Sequence, residues 1–162
     1  MKDLSSELDV SQNVLYNKYS KDMLFLDSLN YYTNTYSDPF LKGLSESTNG
    51  LESLKEFFYT LIDTLLDKTF PRSCLMVNTV VELRNENEEV IRKYDDYLNV
   101  LKESYVVVLK KALELGQFKE AKKMDEYAEF LLGVIFNMSI LYKLHPKEAL
   151  YQYIDEQFSF LK

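Results

Sequence analysis

The chain has 162 residues, enough for one ordinary domain with a proper core, and 46% of them are hydrophobic with only 4 Gly and 3 Pro to interrupt them. That balance favours long helices over a turn-rich sandwich or barrel. A net charge of −7 argues against a protein that coats nucleic acid nonspecifically, and a single cysteine, Cys74, excludes an internal disulfide framework and a multi-cysteine zinc site.

Taken in chain order, residues 3–8 predict a short helix with Leu4 and Leu8 four apart, and Asp9-Val10 turns the chain. Ser11 is a good N-cap for a second short helix, residues 12–16, with Val14 and Leu15 on its apolar side. Ser20 caps a third, residues 21–36, with Leu24, Phe25, Leu29 and Tyr32 inward, until Ser37-Asp38-Pro39 breaks it. Two short helices joined by a tight turn outline a helix-turn-helix. Asn49 with Glu52 predicts a cap for the next helix, where Leu51, Leu54, Phe58, Leu61, Ile62 and Leu65 recur at three and four. Pro71 opens a helix through Leu83, and Asn85 with Glu88 suggests a further cap. A long helix then carries Ile91, Tyr94, Leu98, Leu101, Tyr105, Leu109 and Ala112 to a stop at Gly116. After a charged connector, residues 117–123, come a mostly apolar helix, residues 125–144, and a last one opened by Pro146 and running to about Leu161. The expected fold is all-α, with about eight helices, no internal repeat and no strand-like alternation.

Two stretches carry a resemblance. From Leu4 to Leu24, Val10-Ser11, Leu15-Tyr16, Tyr19, Lys21 and Leu24 fall in register with the head of the TetR/AcrR-type repressors, a motif of about 21 residues. From Arg72 to Leu83 the chain resembles a Gly-Cys-Leu-x-x-Asn-x-x-x-Glu-Leu segment in the regulatory domain of one branch of that family, with Ser73 in place of the usual Gly. The order that follows, a long helix, a charged connector and two apolar helices, also fits. The resemblance implies a partial helix-turn-helix head with its connecting helix over residues 1–36. It implies a helical ligand-binding and dimerisation domain over residues 37–162. Met1 sits almost at the start of the family's second helix, so the first helix of the head is expected to be missing. Either an internal methionine has been taken as the start, or the chain is a short form with a weaker grip on DNA.

The function implied is that of a cytoplasmic, ligand-responsive DNA-binding regulator, expected to repress as a homodimer. The alternative is a truncated helical dimer that binds a small molecule or a protein but not DNA. In the head, Gln12 and Asn13 carry amides able to pair bidentately with adenine, and Asn17 lies one turn on. Ser11, Tyr16, Lys18 and Lys21 complete the expected operator-DNA contacts, the last three at backbone phosphates. Residues 1–24 nevertheless hold Lys2, Lys18 and Lys21 against Asp3, Glu7, Asp9 and Asp22.

For an apolar or amphipathic small-molecule effector the candidates are Phe57, Cys74, Met76, Asn78, Tyr94, Leu101 and Tyr105, against plain core packing as the blander reading. The expected dimer interface is Ala128, Leu131, Leu132, Ile135, Met138 and Tyr142 with Leu150, Ile154 and Phe158. Cys74 reads as a buried, inert thiol. Enzyme readings fail on composition. His145 is the only histidine, no Glu-x-x-His pair or Gly-rich phosphate loop occurs, and Glu88-Glu89 and Asp95-Asp96 fall on faces expected to be solvated. No cofactor, metal or membrane partner is expected, since apolar runs such as residues 130–136 are far below the ~20 residues that span a bilayer.

Overall fold

The computed structural model describes residues 2–68, 74–83, 87–117 and 123–161. All the regular structure among them is helical, and none of the helices is long and apolar enough to cross a membrane. The chain divides into two compact units, Met1–Ser37 and Asp38–Lys162.

The smaller unit holds α1 (Lys2–Glu7), α2 (Gln12–Lys18), α3 (Lys21–Tyr32) and a π turn at Thr33–Ser37. Between α1 and α2 the backbone turns at Asp9, whose φ of 50° is a conformation that Asp tolerates better than most side chains. Ser5 steadies the turn, its Oγ donating to the Val10 carbonyl at 2.6 Å. The two serine caps form as expected: Ser11 Oγ accepts the Val14 N–H at 3.3 Å, and Ser20 Oγ accepts the Met23 N–H at 3.1 Å.

The expected break at Ser37-Asp38-Pro39 does not occur. Pro39 lies in the first turn of α4 (Asp38–Ser45), where the missing N–H is no loss. An eight-residue helix therefore begins at the expected break.

The larger unit continues with α5 (Leu51–Leu66), α6 (Leu75–Leu83), α7 (Glu88–Glu114), α8 (Met124–Leu141) and α9 (Lys147–Ser159). Its main packing pairs are α7 with α8, α5 with α9 and α4 with α7. Leu54, Phe58, Ile62, Leu101, Tyr105, Leu109, Leu131, Met138 and Ile154 are fully buried in one core. Burial of each such apolar side chain stabilises the fold by roughly 1.5–3 kcal/mol. Phe58 stacks near Tyr105 with ring centroids 6.1 Å apart and meets Phe158 edge-on at 5.8 Å. Pro71, Arg72, Ser73, Asn85 and most of the charged connector, residues 118–122, lie outside the described residues.

Two caps differ from expectation. The N-cap of α7 is Asn87, whose Oδ1 accepts the N–H groups of Glu89 and Val90 at 2.9 and 3.3 Å. At α5, Asn49 supplies no side-chain cap; the N-cap is Gly50, and the first helical N–H, that of Leu51, is bound at 2.7 Å by Oε1 of Gln117. The same amide donates to the Asn49 carbonyl at 3.0 Å. Gln117 is placed by the end of α7, where Gly116 takes a φ of 68°. There the Gln117 and Gly116 N–H groups return to the carbonyls of Ala112 and Leu113 at 3.0 Å each. A C-terminal helix cap thus delivers the N-terminal cap of another helix, 66 residues away in sequence.

A second seam joins α5 to α9. Tyr59 and Tyr151 stack at 4.2 Å, and each hydroxyl donates to a carboxylate of the facing helix, Tyr59 to Asp155 and Tyr151 to Asp63. Lys55 pairs with Asp155 at 2.5 Å and Lys147 with Asp63 at 2.6 Å. The lysines, then the tyrosine hydroxyls, hold both carboxyl groups below their ordinary 3.8, and the carboxylates hold both lysines above 10.5. The carboxylates' contribution is therefore complete above pH ~4 and lost as pH falls through their depressed values. The lysines' contribution is complete below pH ~10.5 and lost as pH rises beyond it. Urea midpoints should fall on acidification below pH ~4, and the fall should be shallower in Asp63→Asn/Asp155→Asn. An unchanged acid limb in the double variant would remove the seam from the acid response.

Candidate nucleic-acid interface

The seven residues of α2 divide sharply. Leu15 is 5% exposed and anchors the helix, while Gln12, Asn13, Tyr16, Asn17 and Lys18 all face solvent. Gln12 and Asn13 follow directly on the Ser11 cap, so their amides stand in the first helical turn. Tyr16 and Asn17 lie one turn on, on the same side. Lys21 opens α3, beside the N–H groups at its start, and is exposed. Among the described residues, neither Lys18 nor Lys21 is engaged in an ion pair, and the amides of Gln12, Asn13 and Asn17 bond to nothing in the chain. The structure therefore assembles all seven expected DNA-contacting residues on α2, its cap and the start of α3.

The apolar side of this unit is less enclosed than its spacing suggests. Val14, expected inward, is 45% exposed, and Leu4 and Leu8 are also open to solvent. Leu29 and Tyr32 of α3 are buried as expected, Leu24 and Phe25 half-buried.

In the larger unit the expected effector residues lie on α5, at the start of and along α6, and on α7. Phe57, Leu101 and Tyr105 belong to the core, Met76 is buried, and Cys74, Asn78 and Tyr94 are half-buried. Cys74 Sγ comes within 4.0 Å of Tyr97 Oη, and the Tyr94 ring lies 6.4 Å from that of Phe136. Phe57 also lines an open cleft between α4 and α5, which sequence reasoning missed because Pro39 masked the Phe40-Leu41-Leu44 spacing of α4.

The expected dimer residues need the plainest correction. Ala128, Leu131, Leu132, Ile135, Met138, Leu150, Ile154 and Phe158 are all at most 7% exposed within a single chain, so their surface is consumed by the core. Tyr142 is half-buried. A helix apolar nearly all round gives no sign of which stripe faces in. The outer stripe of α8 is Gly133, Asn137 and Ile140, the last 54% exposed, and Asn137 Nδ2 donates to Tyr153 Oη of α9 at 3.0 Å.

Comparison with known proteins gives the following. Residues 50–158 match the protein family described as Tetracyclin repressor-like, C-terminal domain. The chain is 21% identical over 164 residues to YezE, an uncharacterized HTH-type transcriptional regulator of Bacillus subtilis (strain 168), covering 99% of this chain and 84% of that one. Its fold is similar, with a TM-score of 0.84 and 20% identity, to a cysteine mutant of the TetR family transcriptional regulator CifR, covering 98% of this chain and 84% of that one. That protein was captured with 26bp double-strand operator DNA. At such identity the likeness is one of fold.

Proposed function

The chain belongs to the TetR family, and from that premise we propose that it is a ligand-responsive, DNA-binding transcriptional regulator that represses as a homodimer. The observation that carries the reading is the polar face of α2, whose Gln12, Asn13, Tyr16 and Asn17 side chains are exposed and make no hydrogen bond among the described residues. In this reading α2 enters the major groove, with Gln12 and Asn13 on adenine edges. Tyr16, Lys18 and Lys21 touch phosphates and fix the register, Ser11 adds a contact at the start of the helix, and Asn17 extends the reading face. The working compartment is then the cytoplasm, and the role is non-catalytic.

The test is a binding titration of the chain against duplexes from the DNA flanking its gene. Asn13→Ala should weaken specific binding about ten- to hundredfold, as the loss of a bidentate base contact worth ~1–3 kcal/mol does. Lys21→Ala should weaken all duplexes alike and lower the salt slope by about one. Unchanged affinity in both variants would remove these roles. A second reading, a helical dimer that binds a small molecule or a protein without DNA, draws on the charge of residues 1–24, where three lysines face four carboxylates. No retained duplex at any salt concentration would favour it.

Dimerisation is proposed through the outer faces of α8 and α9. Light scattering at micromolar concentration should give twice the 19.1 kDa chain mass, and Ile140→Asp should return the single-chain mass. A single-chain mass for the unaltered protein would sink the dimer.

A further inference from the structure

The cleft between α4 and α5 has a volume of about 270 Å³, near the ~300 Å³ at which small-molecule pockets begin. Its walls are apolar on one side: the Phe40 and Phe57 rings stack at 4.5 Å with 28° between their planes. The cleft is open beside Gly43, where an added Cβ would meet nothing within 4 Å. Its polar side is sparse. Glu56 is the one charged residue in the lining, and no cation pairs with it among the described residues. The nearby lysines are engaged elsewhere, Lys42 by Glu46 at 3.8 Å and Lys55 by Asp155 at 2.5 Å. Ser47, also in the lining, has a buried hydroxyl with no hydrogen-bond partner among the described residues. A turn about its χ1 would offer that hydroxyl to an occupant.

An aromatic wall, one unpaired carboxylate and no lysine or arginine in the lining select the sign of the ligand's charge as well as its size. We propose that this cleft binds a small amphiphilic cation, an aromatic or alkyl body of about ten non-hydrogen atoms bearing an ammonium group. The apolar body lies against Phe40 and Phe57, and the ammonium group donates to Glu56. The proposal deepens the reading of the chain as ligand-responsive and rests on it for biological meaning. Its test contains no DNA, so a failure of DNA binding cannot imitate a failure of this site.

The probe is 2-phenylethylammonium, with 3-phenylpropionate as an anion of similar shape, titrated into the isotopically labelled full chain and followed by amide NMR. The cation should shift the Gly43, Ser47 and Thr60 amides saturably, and the anion should bind about tenfold more weakly. Glu56→Gln should weaken the cation about fivefold, as loss of a partly exposed ion pair does, and leave the anion unaffected or improved. Gly43→Leu should fill the cleft and abolish the shifts, while its melting curve reports that the fold is intact. Equal binding of the two probes would overturn the proposal. So would undiminished binding in Gly43→Leu, or no saturable shift with the cation.

Discussion

Gly50→Ala should destabilise the protein by about 3 kcal/mol or more, a large effect for the addition of one methyl group. Gly50 sits at φ 63°, ψ −123°, a region that side-chain-bearing residues enter only at a strain of ~1–3 kcal/mol. Its new Cβ would lie 2.2 Å from Gln117 Oε1 and 2.7 Å from the Ala112 Cα. The amide could swing away, but the Leu51 N–H that it binds at 2.7 Å would then lose its acceptor. Ala112 is backbone inside α7 and cannot move without shifting the helix. For a chain of this size the melting temperature should drop by roughly 10 °C. Gln117→Ala removes the cap alone and should cost about 1 kcal/mol. Gly43→Ala, inside α4 with open space around the new atom, should be neutral or stabilising by ~0.5–1 kcal/mol. Thermal melts of the three variants distinguish strain from lost helix freedom, and a Gly50→Ala melt matching the unaltered chain would contradict this account.

The second large effect is at Tyr105, where the ring and the hydroxyl act in opposite directions. The side chain is fully buried, with its ring against those of Phe57 and Phe58 at centroid distances of 6.0 and 6.1 Å. Its hydroxyl is shut off from water and has no hydrogen-bond partner among the described residues. Tyr105→Ala should therefore cost ~3–5 kcal/mol through the cavity it leaves. Tyr105→Phe keeps the packing and removes the unsatisfied group, and should stabilise by about 1 kcal/mol. Burial also pushes the phenol well above 10.0, so above pH 10 the unfolded chain ionises first and stability falls as pH rises toward the raised value. Denaturant midpoints should fall on alkalinisation in the unaltered chain and fall less in Tyr105→Phe. A Phe variant less stable than the parent would mean that the hydroxyl has a structural partner.

The same contrast explains what could be read in advance. Ser11 and Ser20 were legible as caps because a cap acts within three residues, and Gly116 as a stop because a left-handed turn needs glycine whatever lies around it. The helices with recurring apolar residues were legible for the same reason, and so was the grouping of Gln12, Asn13, Tyr16 and Asn17 on one short helix. Pro39 misled because proline forbids a mid-helix position but not a first-turn one, and only the π turn before it tells which applies.

The sequence by itself therefore determined the helical class, most helix boundaries, the family resemblance and the exposed polar face of α2. All of these depend on residues within a turn or two of one another. Tertiary structure alone decided that Gln117 caps α5 and that Gly50 must be glycine. It also decided that the stripe of α8 expected to meet a second copy is buried in the core, and that α4 and α5 leave a cleft beside Glu56. Each of these depends on which distant helix arrives alongside, and an apolar helix with two suitable faces does not carry that choice in its own spacing.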